Sequence, residues 1–559
     1  MRGILISDFN MSNFGAYLRN DSASPALEIT AAPYGQVYQV LMNRDLDCWA
    51  ERHEFAIVWI QPEWVFTSFQ KLLNHESVSV ERTIEEVDGF CRLLDQARES
   101  VEIVLVPTLT LPSFYRGVGV LDINFESGVE PALARMNLRL TENLQPMKNV
   151  FLLDSRRWHQ AFPGSGFSSK LWYMAKVPFE NQVFKNAVKD IKAALNVLGG
   201  GARKLLVLDL DNLLWGGVVG DLGWDSLVLG GHDPVGEAYQ DFQRAVKALT
   251  NRGVLLAIVS KNEESVALEG INKNREMILR QDDFVGWRIN WDDKAKNIVE
   301  LASELNLGLQ SFVFIDDNSF ERARVRESLP EVLVPEWPEN PLLYKEALLG
   351  LRCFDVASLT GEDRNKTQLY LTERKRQSAK SEFESLDEWL MNIELTVAVE
   401  ELGASDLQRA AQLLNKTNQM NLSTRRMAEQ RLWDWAADER HRVWVFRVRD
   451  RFGDYGLCGI ASLEIESDSG MIVDFILSCR VMGRKIEQAM LRMVVDQARK
   501  LNLSTVTARY QETAKNKPCL TFFEKSGFSF DEAMGTFSWD TKEEYGETKC
   551  VRVLDRCSS

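Results

Sequence analysis

The stretch Leu205-Leu206-Val207-Leu208-Asp209-Leu210-Asp211-Asn212-Leu213-Leu214-Trp215-Gly216-Gly217 decides the reading of the fold. Four aliphatic residues without a polar interruption suit a strand buried on both faces of a parallel sheet, and the run stops at aspartate. Two further runs behave alike: Leu256-Ala257-Ile258-Val259 leads into Ser260-Lys261-Asn262, and Phe312-Val313-Phe314-Ile315 leads into Asp316-Asp317-Asn318. In an open parallel sheet, residues just past the strand C-termini gather in one crevice where the strand order reverses. The pattern therefore predicts that Asp209, Asp211, Asp316 and Asp317 meet. Four such charges are costly together unless a cation compensates them, and an all-oxygen shell suits Mg2+. Lys294, in Ile289-Asn290-Trp291-Asp292-Asp293-Lys294, lies between the second and third runs and can neutralise a bound phosphoryl group.

Working outward, the N-terminal side carries more runs that end at polar residues or proline: Ile4-Leu5-Ile6, Ala56 to Ile60, Ile103 to Val106, and Val150 to Leu153. These predict a three-layer α/β domain over residues 1–175. Phe179 to Leu198 has helical spacing and stops at Gly199-Gly200-Gly201, a helix end and hinge. A second α/β domain is expected over 176–350 and a helical connector over 351–390. An α+β domain over 391–559 completes the chain, with close successive strands at Val443 to Val448, Gly459 to Leu463 and Met471 to Leu477. A helix with Ile486, Met490, Met493, Val494 and Ala498 on one face follows them.

The 559 residues suit three or four domains at about 150 each. With 66 basic and 81 acidic residues the net charge is −15, which argues against a general nucleic-acid or anionic-membrane binder. Apolar residues make up 45% of the chain, enough for ordinary cores. Eight cysteines show no short paired spacing, so neither a zinc module nor a disulfide framework is expected. The apolar stretch at Ile4–Ile6 is too short for a signal peptide and no run reaches the length of a membrane span. A soluble, cytoplasmic protein with no membrane partner is the expectation.

The order Asp209-x-Asp211, Ser260, Lys294, Asp316-Asp317 resembles the haloacid dehalogenase-like phosphotransferases, with Leu213 where that superfamily usually has Thr or Val. Longer strings are similar to the FkbH-like subfamily: Asp211 to Gly220, Ser260-Lys261-Asn262, Trp287 to Trp291, Asp316 to Arg322, and Asn415 to Asn421. That resemblance spans essentially the whole chain and implies loading of a three-carbon acyl unit onto the phosphopantetheine thiol of an acyl carrier protein, with loss of phosphate. The donor implied is 1,3-bisphosphoglycerate, and a lactyl unit also fits. It implies Asp209 as nucleophile and Mg2+ ligand together with Asp316 and the Asp211 backbone carbonyl. It further implies the Asp211 carboxyl as general acid/base, Ser260 as a phosphoryl binder and Lys294 as its orienter. Lys261, Asn262, Asp317 and Asn318 are candidate substrate-binding residues beside them.

The interval from Asp211 to Ser260 is too short for a large cap, and Glu237 to Thr250 reads as one helix with Ala238, Phe242, Val246 and Leu249 inward. His232 lies on the loop before it and is a candidate catalytic residue, against the alternative of a surface histidine. Some relatives carry the acyl group on a cysteine beside the first motif; here Leu210 stands there, and Cys353 is the sole cysteine of the block. The first domain resembles an SGNH-type fold, but Ser7-Asp8-Phe9-Asn10 lacks the nucleophilic serine at Phe9. Asp154 and His159 are misplaced for a triad, so a scaffold is expected. The last domain resembles the GNAT acyltransferases. Its loop Arg480 to Lys485 partly fits a diphosphate-binding turn, which makes Arg480, Gly483 and Arg484 candidate phosphopantetheine or carrier ligands. Carrier proteins are themselves acidic, so docking would need local basic surface: Arg374-Lys375-Arg376, Arg425-Arg426, or the Arg480/Arg484/Lys485 loop. A plain phosphatase acting on a small phosphate ester and a non-catalytic docking protein are the competing readings.

Overall fold

Strands form where the unbroken apolar runs lie. In the computed structural model β1 (Arg2–Ser7), β2 (Glu28–Ala31), β3 (Phe55–Trp59), β4 (Ile103–Pro107) and β5 (Val150–Leu153) form a parallel sheet in the order β2-β1-β3-β4-β5. The structure describes residues 1–559 except 113, 161–165, 358, 360, 373–382, 384, 418, 428, 514–515, 532–534 and 558–559. The expected basic run Arg374-Lys375-Arg376 and Asn418 lie outside the described residues. Alternation along the strands feeds both faces of the sheet. Ile4, Ile6, Val58 and Val106 pack with Val87 and Phe90 of the helix Val80–Ala97 and Met136 and Leu140 of the helix Val129–Leu144. Leu5, Ile57, Trp59 and Leu105 pack on the other side.

That second face also takes Val183, Phe184, Ala187, Ile191 and Leu195 of the helix Asn181–Leu198. The helix therefore belongs to the first compact unit, Met1–Ala202 with Arg352–Ala357, and the expected boundary at 175/176 falls one helix too early. The amphipathic spacing identified the helix but could not tell which sheet its apolar stripe covers. The helix stops at Gly199, a few residues before the break between Ala202 and Arg203.

The second compact unit, Arg203–Leu351 with Ser358–Ser559, holds two sheets. β6 (Leu205–Leu208), β7 (Leu255–Ser260), β8 (Phe284–Ile289) and β9 (Phe312–Ile315) are parallel in the order β8-β7-β6-β9. Every residue of β6, β7 and β9 is buried. Each fully buried aliphatic side chain there contributes roughly 1.5–3 kcal/mol. The chain runs outward from β6 through β7 to β8 and returns to the other side as β9, so the order reverses between β6 and β9, whose C-terminal ends carry Asp209 and Asp316.

The remaining strands are β10 (Thr396–Glu401), β11 (Met420–Asn421), β12 (His441–Asp450), β13 (Gly453–Glu466), β14 (Ser469–Leu477), β15 (Thr505–Arg509), β16 (Ser529–Asp531), β17 (Thr536–Asp540) and β18 (Arg552–Asp555). They form one mixed sheet, β16-β17-β15-β14-β13-β12-β10-β18, with the expected antiparallel meander β12-β13-β14 at its centre. The helix Ile486–Lys500 buries Ile486, Met490, Met493, Val494 and Ala498, as its spacing predicts. β14 and β15 pair in parallel from Ser469/Thr505 to Ile472/Ala508. Beyond that point β11 pairs with β14, Met420 opposite Leu477. The Gln511 N–H then donates to the Leu422 carbonyl at 3.0 Å, so the chain's own segment lies between β14 and the residues after β15. The whole is a multidomain α/β protein.

Candidate active site

β6 ends by delivering Asp209, which is 7% exposed, into the crevice beside β9; its backbone N–H donates to the Ile315 carbonyl at 3.2 Å. Lys294 opens the helix Lys294–Glu304, whose N-terminus is capped by the Asp293 carboxylate accepting from Ala295 N at 2.8 Å and Lys296 N at 3.2 Å. The cap fixes the first turn and Lys294 points inward, its side chain 3% exposed. Its Nζ lies 2.6 Å from Asp316 Oδ2 and 3.2 Å from Asp209 Oδ2. Burial disfavours the ammonium charge, but the two carboxylates outweigh it and hold Lys294 above the ordinary lysine pKa. Burial, with Asp209 adding repulsion, pushes both Asp316 and Asp317 above the usual carboxylate range.

Asp209, Asp316 and Asp317 each bring one carboxylate oxygen to within 4.8 Å of the others. Asp209 Oδ1 is buried and has no hydrogen-bond partner. Hard oxygen donors, one of them orphaned, fit Mg2+. Asp316 Oδ1 accepts from Asn318 N at 2.9 Å. Arg322, 7% exposed, donates through Nη1 to the backbone carbonyls of Asp316 and Asp317, at 2.7 Å each, and so ties down the turn that presents both acids.

Asp211 stands apart from this trio. Its Oδ1 accepts from Trp215 Nε1 at 2.9 Å and Val219 N at 3.1 Å, and its Oδ2 from Asn262 Nδ2 at 2.8 Å. Asn262, 4% exposed, also donates to Ser260 Oγ at 3.3 Å, so the ends of β6 and β7 are joined through it. Asn262 thus contacts a candidate catalytic acid. Lys261 is ion-paired with Glu321 at 2.6 Å, and the Asn318 side chain caps the next helix by accepting from Phe320 N at 2.9 Å. His232 is exposed on its loop and joins none of these contacts. In the helix Pro234–Thr250, Phe242, Val246 and Leu249 are buried as expected, while near its start Gly236, Tyr239 and Gln240 are buried and Ala238 is half-buried.

The C-terminal loop differs from its expected use. The Gly483 N–H donates to Glu487 Oε1 at 2.7 Å, and Glu487 is only 4% exposed. Arg484 is turned inward, hydrogen-bonded to the Tyr455 hydroxyl and lying over the rings of Trp389 and Tyr455. Lys485, where a glycine would allow closest approach, has φ +60° and pairs with Asp387 at 2.6 Å. Arg480 Nε donates to Ser478 Oγ at 3.4 Å. An internal carboxylate therefore occupies the Gly483 N–H, and Arg484 is buried, while Gly483 itself is exposed. Of the other basic candidates, Arg425 pairs with Asp474 and Arg426 donates to the Asn415 carbonyl.

In the first unit Ser7 Oγ accepts from Phe9 N at 3.1 Å, and Phe9 is a core ring against Trp59 and Phe179. Asp154 is paired with Arg156 and Arg157, and His159 packs on Phe179, where burial lowers its pKa to about 4. Cys353 falls in the Arg352–Ala357 segment of this unit, not in the unit that carries Asp209.

No family profile and no curated protein matches the chain. Among solved structures, the N-terminal part of a Bacteroides fragilis protein, which contains a phosphatase domain and is complexed with Mg, is 29% identical. That match covers 64% of this chain and 95% of the other, with a TM-score of 0.57. The ribosomal-protein-S18-alanine N-acetyltransferase from Escherichia coli is 12% identical over 27% of this chain and 97% of its own, with a TM-score of 0.20. A Mycobacterium tuberculosis protein in complex with CoA is 23% identical over 24% of this chain and 72% of its own, with a TM-score of 0.20.

Proposed function

We propose that the chain is a Mg2+-dependent phosphoryl-handling enzyme of the haloacid dehalogenase type that loads a three-carbon acyl unit onto an acyl carrier protein. The observation that carries the phosphoryl part is Lys294 lying between Asp209 and Asp316 at the β6/β9 switch point, with Asp317 beside them. The likeness to a phosphatase domain complexed with Mg supports it. The carrier part rests on the FkbH-like resemblance.

Asp209, Asp316 and Asp317 would hold Mg2+, which when bound neutralises charge on the phosphoryl oxygens. Asp209 attacks the phosphorus of the donor's phosphate ester, and the bond to the leaving alkoxide oxygen breaks as an aspartyl phosphate forms. The leaving oxygen takes a proton from Asp211, which later removes one from the attacking water. Ser260 and Lys294 bind the transferring group. Leu210 is buried beside Asp209 and offers no thiol, so the carrier thiol itself, its proton passing to water, attacks the acyl phosphate carbon. The carbon–oxygen bond breaks and phosphate leaves with the electron pair.

Intact-mass spectrometry of a holo-carrier protein incubated with the enzyme, Mg2+ and 1,3-bisphosphoglycerate tests this. The expected product is a carrier bearing a C3 acyl mass. Free phosphate with an unmodified carrier would favour the plain phosphatase, which the phosphatase-domain likeness also supports. No change in either would leave only a docking role.

A further inference from the structure

The turn that aims the acids is held from outside the motif. Asn212, directly after Asp211, has φ +56°, a left-handed conformation rare for residues other than glycine. Its Oδ1 accepts from Gly217 N at 2.9 Å, and Gly217 itself has φ +99°. The Asn212 carbonyl accepts two phenols: Tyr239 at 3.3 Å, from the helix Pro234–Thr250, and Tyr344 at 3.1 Å, from the helix Tyr344–Leu349. Both lone pairs of that carbonyl are thereby used. The two rings are 3% and 2% exposed and pack against each other, with Phe242 and Trp337 against Tyr344. Among the described residues neither phenol is hydrogen-bonded to a carboxylate of the trio, although the charge of Asp317 helps raise the pKa of both. The effect of the cluster passes through the peptide that joins Asn212 to Asp211.

We propose that Tyr239 and Tyr344 are positioning residues: their hydroxyls lock the Asn212 carbonyl and so keep the Asp211 carboxyl where it exchanges a proton with the leaving oxygen. This rests on the phosphoryl reading of the site. Two tyrosines on one carbonyl act in part redundantly, because either phenol alone still anchors the turn. Tyr239→Phe and Tyr344→Phe should each cost little, and the double variant much more. A misplaced general acid matters most when the leaving group is poor, since a phenolate with electron-withdrawing substituents departs without protonation.

Steady-state kinetics of the full chain on glycerol phosphate and p-nitrophenyl phosphate separate positioning from mere loss of structure. General acid catalysis contributes on the order of 100-fold or more. The double variant should therefore lose about that factor in kcat on glycerol phosphate and under ~5-fold on p-nitrophenyl phosphate, with KM and Mg2+ affinity unchanged. Equal losses on both substrates, or no loss on either, would overturn the proposal. Hydrogen exchange of the 210–219 segment gives a readout independent of turnover, and faster exchange is expected in the double variant. If wild type and Asp209→Asn alike lack activity, the phosphoryl reading fails. Unchanged exchange would then also refute the tyrosine anchor.

Discussion

Lys294 is the residue on which the charge balance of the candidate site turns. Breaking a buried ion pair by removing one partner leaves an uncompensated charge and costs about 3–5 kcal/mol. Lys294→Met should accordingly lower the melting temperature in chelator by on the order of 10 °C. Mg2+ should restore more stability to the variant than it adds to wild type, because the carboxylates of Asp209 and Asp316 then lack an ion-pair partner among the described residues. Calorimetry with and without Mg2+ checks this, and an unchanged Tm in chelator would mean that the three groups are not coupled. Asp8 and Glu63, in the first unit, make the opposite case: two buried acids with no ion-pair partner among the described residues. Burial pushes Asp8 up to about 7 and Glu63, with repulsion from Asp8, up to about 8. Both folded values lie above the unfolded ones near 4, so the folded state keeps protons that the unfolded state releases. Their stabilisation is complete below pH ~4 and is lost as pH rises through about 7 to 8, at up to about 1.4 kcal/mol per pH unit for each group. Asp8→Asn with Glu63→Gln should flatten thermal stability across that interval. An identical slope in the double variant would rule these groups out as its source.

At the level of elements, the helix Ile486–Lys500 begins with its own anion. Glu487 accepts the Gly483 N–H, and β11 fills the gap where β14 and β15 part. Titration calorimetry with CoA should therefore show no micromolar binding in wild type, and a micromolar Kd would contradict this account of the loop. Neither feature was legible in the sequence, for a physical reason. Arg480 to Lys485 carries the residue types of a diphosphate loop, but a glutamate at the second position of a helix reads equally as a solvated first-turn acid. β11 is a two-residue pairing between segments more than fifty residues apart. Local strings were legible wherever burial dictated an unbroken apolar run, as at Leu205–Leu208 and Phe312–Ile315. β2, Glu-Ile-Thr-Ala with no fully buried residue, left no such trace. Of the four acids expected to meet after β6 and β9, Asp209, Asp316 and Asp317 do, while Asp211 is drawn aside by Trp215, Val219 and Asn262; Arg322, Trp215 and Tyr344 act through backbone carbonyls or a carboxylate that only the folded chain brings near.

Across the whole molecule, the net charge of −15 gives no general attraction to an acidic carrier, and the basic residues proposed for docking are largely engaged within the described structure: Arg425 on Asp474, Arg484 on Tyr455, Lys485 on Asp387. Among the described residues no helix is long and apolar enough to cross a membrane. The two compact units divide the groups unevenly: every residue proposed for phosphoryl transfer lies within Arg203–Leu351. The central claim is that Asp209 is the nucleophile there. Rapid-quench mass spectrometry with a phosphate-ester donor and no carrier protein tests it directly. With Mg2+ present, the peptide containing Asp209 should carry a phosphoryl adduct that disappears in Asp209→Asn along with phosphate release. Phosphate release at an undiminished rate from Asp209→Asn would contradict the account.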